Sequence, residues 1–256
     1  MALLDVEKLS IQFGGLKAVN NFNLSLESGE LVAIIGPNGA GKTTVFNMLT
    51  GLYKPTEGDI CFEGKSIVGL KPHDFTAGGI ARTFQNIRLF NSATVLDNIK
   101  IAFTLQVKYN LGEALLRTKK FNAIEDDLDK RAMELLKILK LDGKAELLAR
   151  NLPYGEQRRL EIARALATNP KLLLLDEPAA GMNPNEMDDL VTLIKEIKEK
   201  FNLTILLIEH HMAIVMNIAD RIKVLDFGET IAEGKPAEVQ KNPKVIEAYL
   251  GGGHKE

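Results

Sequence analysis

The residues Gly36-Pro37-Asn38-Gly39-Ala40-Gly41-Lys42-Thr43-Thr44 place glycines, one lysine and two hydroxyls at the spacing of a phosphate cradle. Glycines let the backbone curl until several N–H groups face one anion, and a helix that follows adds its positive end. On this reading Lys42 reaches the β- and γ-phosphates, and Thr43 offers a hydroxyl to Mg²⁺, a hard cation that takes few protein oxygens. A second group, Asp176-Glu177, ends an apolar run. Asp176 suits the Mg²⁺ water shell and Glu177 the removal of a proton from water. A third group, His210-His211, follows another apolar run, and one imidazole of the pair can donate to a phosphate oxygen. The pattern leaves open which histidine does so. Gln85, a lone amide beside apolar neighbours, reads from spacing alone as a satisfied loop residue.

These groups need elements to hold them. Leu31 to Ile35 is an apolar, β-branched run that reads as a buried strand, and Val45 to Leu49 opens a helix, which gives the glycine stretch its strand-loop-helix context. Leu172 to Leu175 and Thr204 to Ile208 read as strands buried on both faces, as parallel strands are, with Asp176-Glu177 and Glu209-His210-His211 at their C-terminal ends. Ligands of open parallel sheets bind at that edge. Upstream, Leu4 to Leu9, Ile11 to Phe13 and Phe22 to Leu26 read as strands, Pro55 to Gly58 as a turn and Asp59 to Phe62 as a strand. Phe13 is either a core aromatic or a ring for stacking on a flat base, with Val19 shortly after it. A strand-like segment after Gly79 ends at Thr83-Phe84-Gln85.

From about Asn91 to Leu141 the chain turns helical. Ile124, Leu128, Ala132, Leu135, Leu136 and Leu139 share one face, opposite Glu125, Asp126, Lys130, Arg131 and Lys137. The face fits a core or a docked partner. Asn151 to Gln157 leads into a helix over Arg158 to Ala167, with Pro153 in a position that helix starts tolerate and Gly155 near the tip. Ile222 to Leu225 and Thr230 to Glu233 read as strands around the turn Asp226 to Glu229, followed by a short helix near Val245 to Leu250 and a tail from Gly251.

With 256 residues, 45% hydrophobic content and a net charge of −2, the chain carries enough apolar residues for a real core and shows no nucleic-acid footprint or polybasic anchor. One cysteine, Cys61, excludes an internal disulfide framework and a multi-cysteine metal site, and fits a reducing compartment. Met1 to Asp5 has no secretory pattern, and the aliphatic runs are too short to cross a bilayer.

In this order, and over nearly the whole chain, the motifs resemble the nucleotide-binding subunit of ATP-binding-cassette transporters. By that resemblance Gly36, Pro37, Asn38, Gly39, Ala40, Gly41, Lys42, Thr43 and Thr44 form the Walker A loop, Gln85 is the Q-loop glutamine, and Leu152 to Glu156, with Tyr154 and Gly155, is the signature. Leu172 to Glu177 is then the Walker B strand with its catalytic glutamate, His210 the switch histidine, and Phe13 the adenine-stacking position. Phe13 to Val19, Arg82 to Gln85, Tyr154 to Arg164 and Ala248 to Gly251 resemble the LivG type of branched-chain amino acid importers.

The resemblance implies an α/β fold: a P-loop NTPase (RecA-like) core with a mainly parallel sheet over 1–90 and 165–235, an N-terminal antiparallel β subdomain, an inserted α-helical subdomain over 91–164, and a C-terminal helix and tail over 236–256, all in one ATPase domain. It implies ATP and Mg²⁺ as cofactors, with Lys42, Gln85, Glu177 and His210 catalytic and Thr43, Gln85 and Asp176 toward the metal. The expected partners are a second ATPase subunit in a head-to-tail dimer, usually a related but different chain, transmembrane permease subunits at the cytoplasmic face of the membrane, and an external solute-binding protein. Other transported substrates, a small-molecule kinase and a soluble cassette protein are the alternatives. Five positions, in three places, depart from the family pattern. Pro153, Tyr154 and Glu156 replace serine, glycine and glutamine of the signature, Asn183 stands where aspartate is usual, and so does His211.

Overall fold

The computed structural model describes residues 2–104, 107, 113, 116 and 118–250. The expected tail from Gly251 lies outside them. Two compact units emerge, Met1–Gln85 together with Lys171–Glu256, and Asn86–Pro170.

The first unit holds two sheets. Strands β1 (Leu4–Phe13), β2 (Leu16–Leu26), β4 (Glu57–Phe62) and β5 (Lys65–Ser66) form an antiparallel sheet in the order β2-β1-β4-β5. The expected break after Leu9 is a shift in register inside one strand. Lys8 adopts φ 48°, the pairing slips between Val6 and Ile11, and the ladder continues to Phe13. β2 begins well before Phe22, paired with β1 from Leu16 on, although this first half is mostly exposed and carries little apolar signal.

The larger sheet joins β3 (Leu31–Ile35), β6 (Ile80–Arg82), β7 (Leu172–Asp176), β8 (Thr204–Ile208), β9 (Arg221–Asp226) and β10 (Glu229–Gly234) in the order β10-β9-β3-β8-β7-β6. All neighbours are parallel except the β9-β10 hairpin. Every residue of β3, β7 and β8 is buried, as expected for aliphatic strands covered on both faces. A core of Leu4, Val6, Phe22, Ile34, Val45, Phe46, Leu174 and Leu206 fuses the two sheets. Helix α1 (Lys42–Leu49) follows β3, and α2 (Pro72–Ala77) precedes β6.

The second unit contains α3 (Val95–Phe103), α4 (Lys119–Ile138) and α5 (Tyr154–Ala167). The apolar face of α4 packs inward through Leu128, Ala132, Leu135 and Leu136, and Leu139 just beyond the helix is buried too. Thr94 caps α3 by accepting the N–H of Asp97. Back in the first unit lie α6 (Pro184–Lys200), α7 (Met212–Ile218), α8 (Pro236–Val239) and α9 (Pro243–Leu250). No helix among the described residues is long and apolar enough to cross a membrane.

Candidate nucleotide site

The glycine loop leaves the C-terminal end of β3 and turns into α1. Its geometry requires glycine at two points. Gly36 has φ 152°, and a Cβ there would lie 2.0 Å from the Leu225 carbonyl oxygen. Gly41 has φ 99°, and a Cβ would lie 2.8 Å from the Ala18 carbonyl oxygen. The Gly228 N–H donates to the Ala40 carbonyl (3.0 Å), so the β9-β10 turn braces the loop from the other side.

Lys42 is 6% exposed, and its ammonium donates to the carbonyls of Gly36 (2.7 Å) and Pro37 (2.9 Å). Burial pushes its pKa below the ordinary lysine value, with the charges of Glu177 and Asp176 opposing that shift. Thr43 is exposed at the start of α1.

At the end of β7, Glu177 sits in the left-handed region with φ 46°, held by its N–H donating to the Ile208 carbonyl (2.9 Å). A non-glycine residue in that region is strained, and such strain concentrates where a side chain must be aimed. Here the carboxylate accepts from Gln85 Nε2 (2.9 Å) and lies 3.7 Å from His210 Nδ1. Lys42, Thr43, Gln85 and Glu177 line one cavity of about 400 Å³ with Asn38, Gly39 and the Leu16–Ala18 strand segment.

Asp176 shows a partner that the sequence alone did not suggest. Its carboxylate pairs with the Arg82 guanidinium at 2.7 Å, both side chains being almost wholly buried. Arg82 also donates to Asn47 Oδ1 (2.8 Å) and Thr50 Oγ1 (3.1 Å) and stacks near the Phe46 and Phe84 rings. The signal was an arginine closing an otherwise apolar strand, Ile80-Ala81-Arg82.

Other expected residues fall elsewhere. The Phe13 ring packs edge-on against Tyr53 at 5.3 Å and Val19 is fully buried, so neither lines the cavity. Its apolar wall is Leu16 and Phe227, the latter 87% exposed. Tyr154, Gly155 and Glu156 form the first turn of α5 in the second unit. There the Tyr154 hydroxyl accepts from Arg158, and Glu156 pairs with Lys144 at 2.6 Å. Pro153 is the N-cap and contributes no side-chain cap. Asn183 caps α6, its amide oxygen accepting the Glu186 N–H (3.1 Å) while the Glu186 carboxylate accepts the Asn183 N–H (2.9 Å). Of the residues expected toward the metal, Thr43 and Gln85 line the cavity with oxygens that suit Mg²⁺, while the Asp176 carboxylate is buried against Arg82 outside that lining.

A glycine loop between a buried strand and a helix, with an acid at the end of the second strand along, defines a P-loop nucleotide-binding protein. The chain belongs to the ATP-binding-cassette (ABC) transporter family: the family profile described as ABC transporter matches residues 19–180. A second profile, described as branched-chain amino acid ATP-binding cassette transporter, matches residues 229–255. The chain is 49% identical over 249 residues to the high-affinity branched-chain amino acid transport ATP-binding protein LivG of Escherichia coli K12, covering 97% of this chain and 98% of that one. It is 47% identical over 249 residues, with the same coverage, to BraF of Pseudomonas aeruginosa, which carries the same description. Among solved structures, the ADP conformation of MJ1267, an ATP-binding cassette of an ABC transporter, superposes with a TM-score of 0.85 at 36% identity, covering 98% of this chain and 99% of that one.

Proposed function

We propose that this chain is the ATP-hydrolysing subunit of an importer for leucine, isoleucine and valine. The observation that carries the chemistry is the meeting of Lys42, Gln85 and Glu177 at one cavity, with the His210 imidazole 3.7 Å from the Glu177 carboxylate. Glu177 acts as general base on the attacking water, a role worth about 10²- to 10⁴-fold. Lys42 and His210 offset charge on the transferred phosphoryl oxygens. Thr43, Gln85 and Asp176 would hold Mg²⁺, which neutralises the triphosphate when bound. The substrate assignment rests on LivG and BraF, relatives that span almost the whole chain.

The working unit is a head-to-tail dimer with a second, related ATPase chain, docked on permease subunits at the cytoplasmic face of the membrane and served by an external solute-binding protein. Each ATP lies between the Walker A loop of one chain and the signature turn of the other, and ATP-driven closure is what reaches the permease. The whole chain forms one ATPase domain, with its helical segment, about 91–164, inserted into the core. Proline at 153 offers no hydroxyl and no N–H, so this chain's signature grips the partner's ATP through the Gly155 N–H and the dipole of α5. The two sites are then unequal. Uptake of labelled leucine after deletion of this chain, and after its restoration as wild type or Glu177→Gln, tests the reading. Loss on deletion with rescue by the wild type alone is expected; undiminished uptake on deletion would overturn the assignment.

A further inference from the structure

Directly after β8 and before His210 comes Glu209, an acid with no solvent exposure. A buried carboxylate is costly unless hydrogen bonds replace its water. Here four do. One oxygen accepts the Ala179 N–H at 3.0 Å. The other accepts the N–H groups of His210 (2.8 Å) and His211 (3.0 Å) and pairs with His211 Nδ1 at 2.9 Å. Against an oxygen that already accepts two N–H groups, the His211 ring acts as a donor at Nδ1.

The two oxygens face two different loops. Ala179 lies two residues beyond Glu177, and the segment between is closed by the Ala180 N–H donating to the Glu177 carbonyl (3.2 Å). The other oxygen gathers the backbone that carries His210. One side chain therefore ties the strained loop of Glu177 to the loop of His210, whose side chains face each other at 3.7 Å. Glu209, His210 and His211 also have the spacing of a metal site, their ligand atoms lying within 4.8 Å of one another. With both Glu209 oxygens engaged by N–H donors, the cluster reads as a clamp rather than a metal site.

We infer that Glu209, supported by His211, is a positioning residue for ATP hydrolysis, fixing the distance between Glu177 and His210. The inference rests on the proposed roles of those two residues. Glu209→Gln is the sharp perturbation, because an amide has one accepting oxygen and one NH₂. It can serve the histidine side or Ala179, and donor meets donor on the other. Misplacing catalytic groups by about 1 Å can cost on the order of 100-fold.

The test measures single-turnover ATP hydrolysis and MgATP binding in the assembled transporter for Glu209→Gln, His210→Ala and the double variant. Expected are a turnover loss of roughly 10- to 100-fold in Glu209→Gln, nucleotide affinity changed by less than about 2-fold, and a double variant no slower than His210→Ala alone, since groups acting as a unit are non-additive. Multiplied losses, or near-normal turnover in Glu209→Gln, would overturn the inference. Should Glu209→Gln fail to fold, His211→Ala, which removes only the ring donor, takes its place in the same cycle: a slowed, non-additive variant supports the clamp, and multiplied losses or normal turnover overturn it. If His210→Ala and Glu177→Gln themselves turn over normally, it is the proposed site that fails.

Discussion

Replacing Arg82 with methionine would leave the Asp176 carboxylate without its counter-charge in a pocket where both side chains are nearly inaccessible, at 6% and 3% exposure. Methionine keeps the apolar contact with Phe46 and Phe84 and removes the charge together with the bonds to Asn47 and Thr50. Breaking a buried ion pair by deleting one partner costs about 3–5 kcal/mol, because the remaining ion is desolvated and unpaired. At about 2–4 °C per kcal/mol for a chain of this size class, Tm falls by roughly 6–20 °C. The assay is thermal and urea unfolding of wild type, Arg82→Met, Asp176→Asn and the double variant. In the double variant neither charge remains, so it should recover most of the loss, with a coupling energy well above that of an exposed pair, at about 1 kcal/mol. A loss under about 1 kcal/mol would refute the reasoning by showing that water screens the pair.

Two further outcomes follow from the same geometry. Lys42 has a folded-state pKa below 10.5, mainly through burial. Between the lowered value and 10.5 the unfolded chain holds a proton that the folded chain has lost, so this group's contribution to stability rises with pH across that window. Urea midpoints of wild type and Lys42→Met, followed from neutral pH upward, should shift in favour of the wild type; a shift in favour of Lys42→Met would contradict the burial. Phe227 lines the cavity whereas Phe13 packs on Tyr53. Phe227→Ala should weaken nucleotide binding by about 1 kcal/mol with little change in Tm, more than Phe13→Ala does; titration with a fluorescent ATP analogue gives the ranking, and the reverse order would return the base to Phe13.

The sequence announced the parts whose signal is local. The aliphatic runs of β3, β7 and β8 and the glycines before Lys42 needed no tertiary information, because buried parallel strands are apolar throughout and a tight phosphate loop demands Gly at positions such as 36 and 41. What stayed hidden depends on contacts across the fold. The pairing of Arg82 with Asp176 joins residues from neighbouring strands, and the grip of Glu209 on Ala179 spans 30 positions. The first half of β2 is a strand because β1 pairs with it, not because its own residues alternate. Helix α6 carries a local signal too: Asn183 and Glu186 form a capping box ahead of the buried Leu190, Val191, Ile194 and Ile197.

The most direct measurement is nucleotide binding and hydrolysis by Glu177→Gln, a swap that keeps the shape of the side chain and removes its basicity. With Glu177 as the base, the variant holds MgATP with near wild-type affinity while phosphate release falls by about 10²- to 10⁴-fold. Turnover within about twofold of wild type would contradict the account, because no base worth 10²-fold or more would then reside at the end of β7.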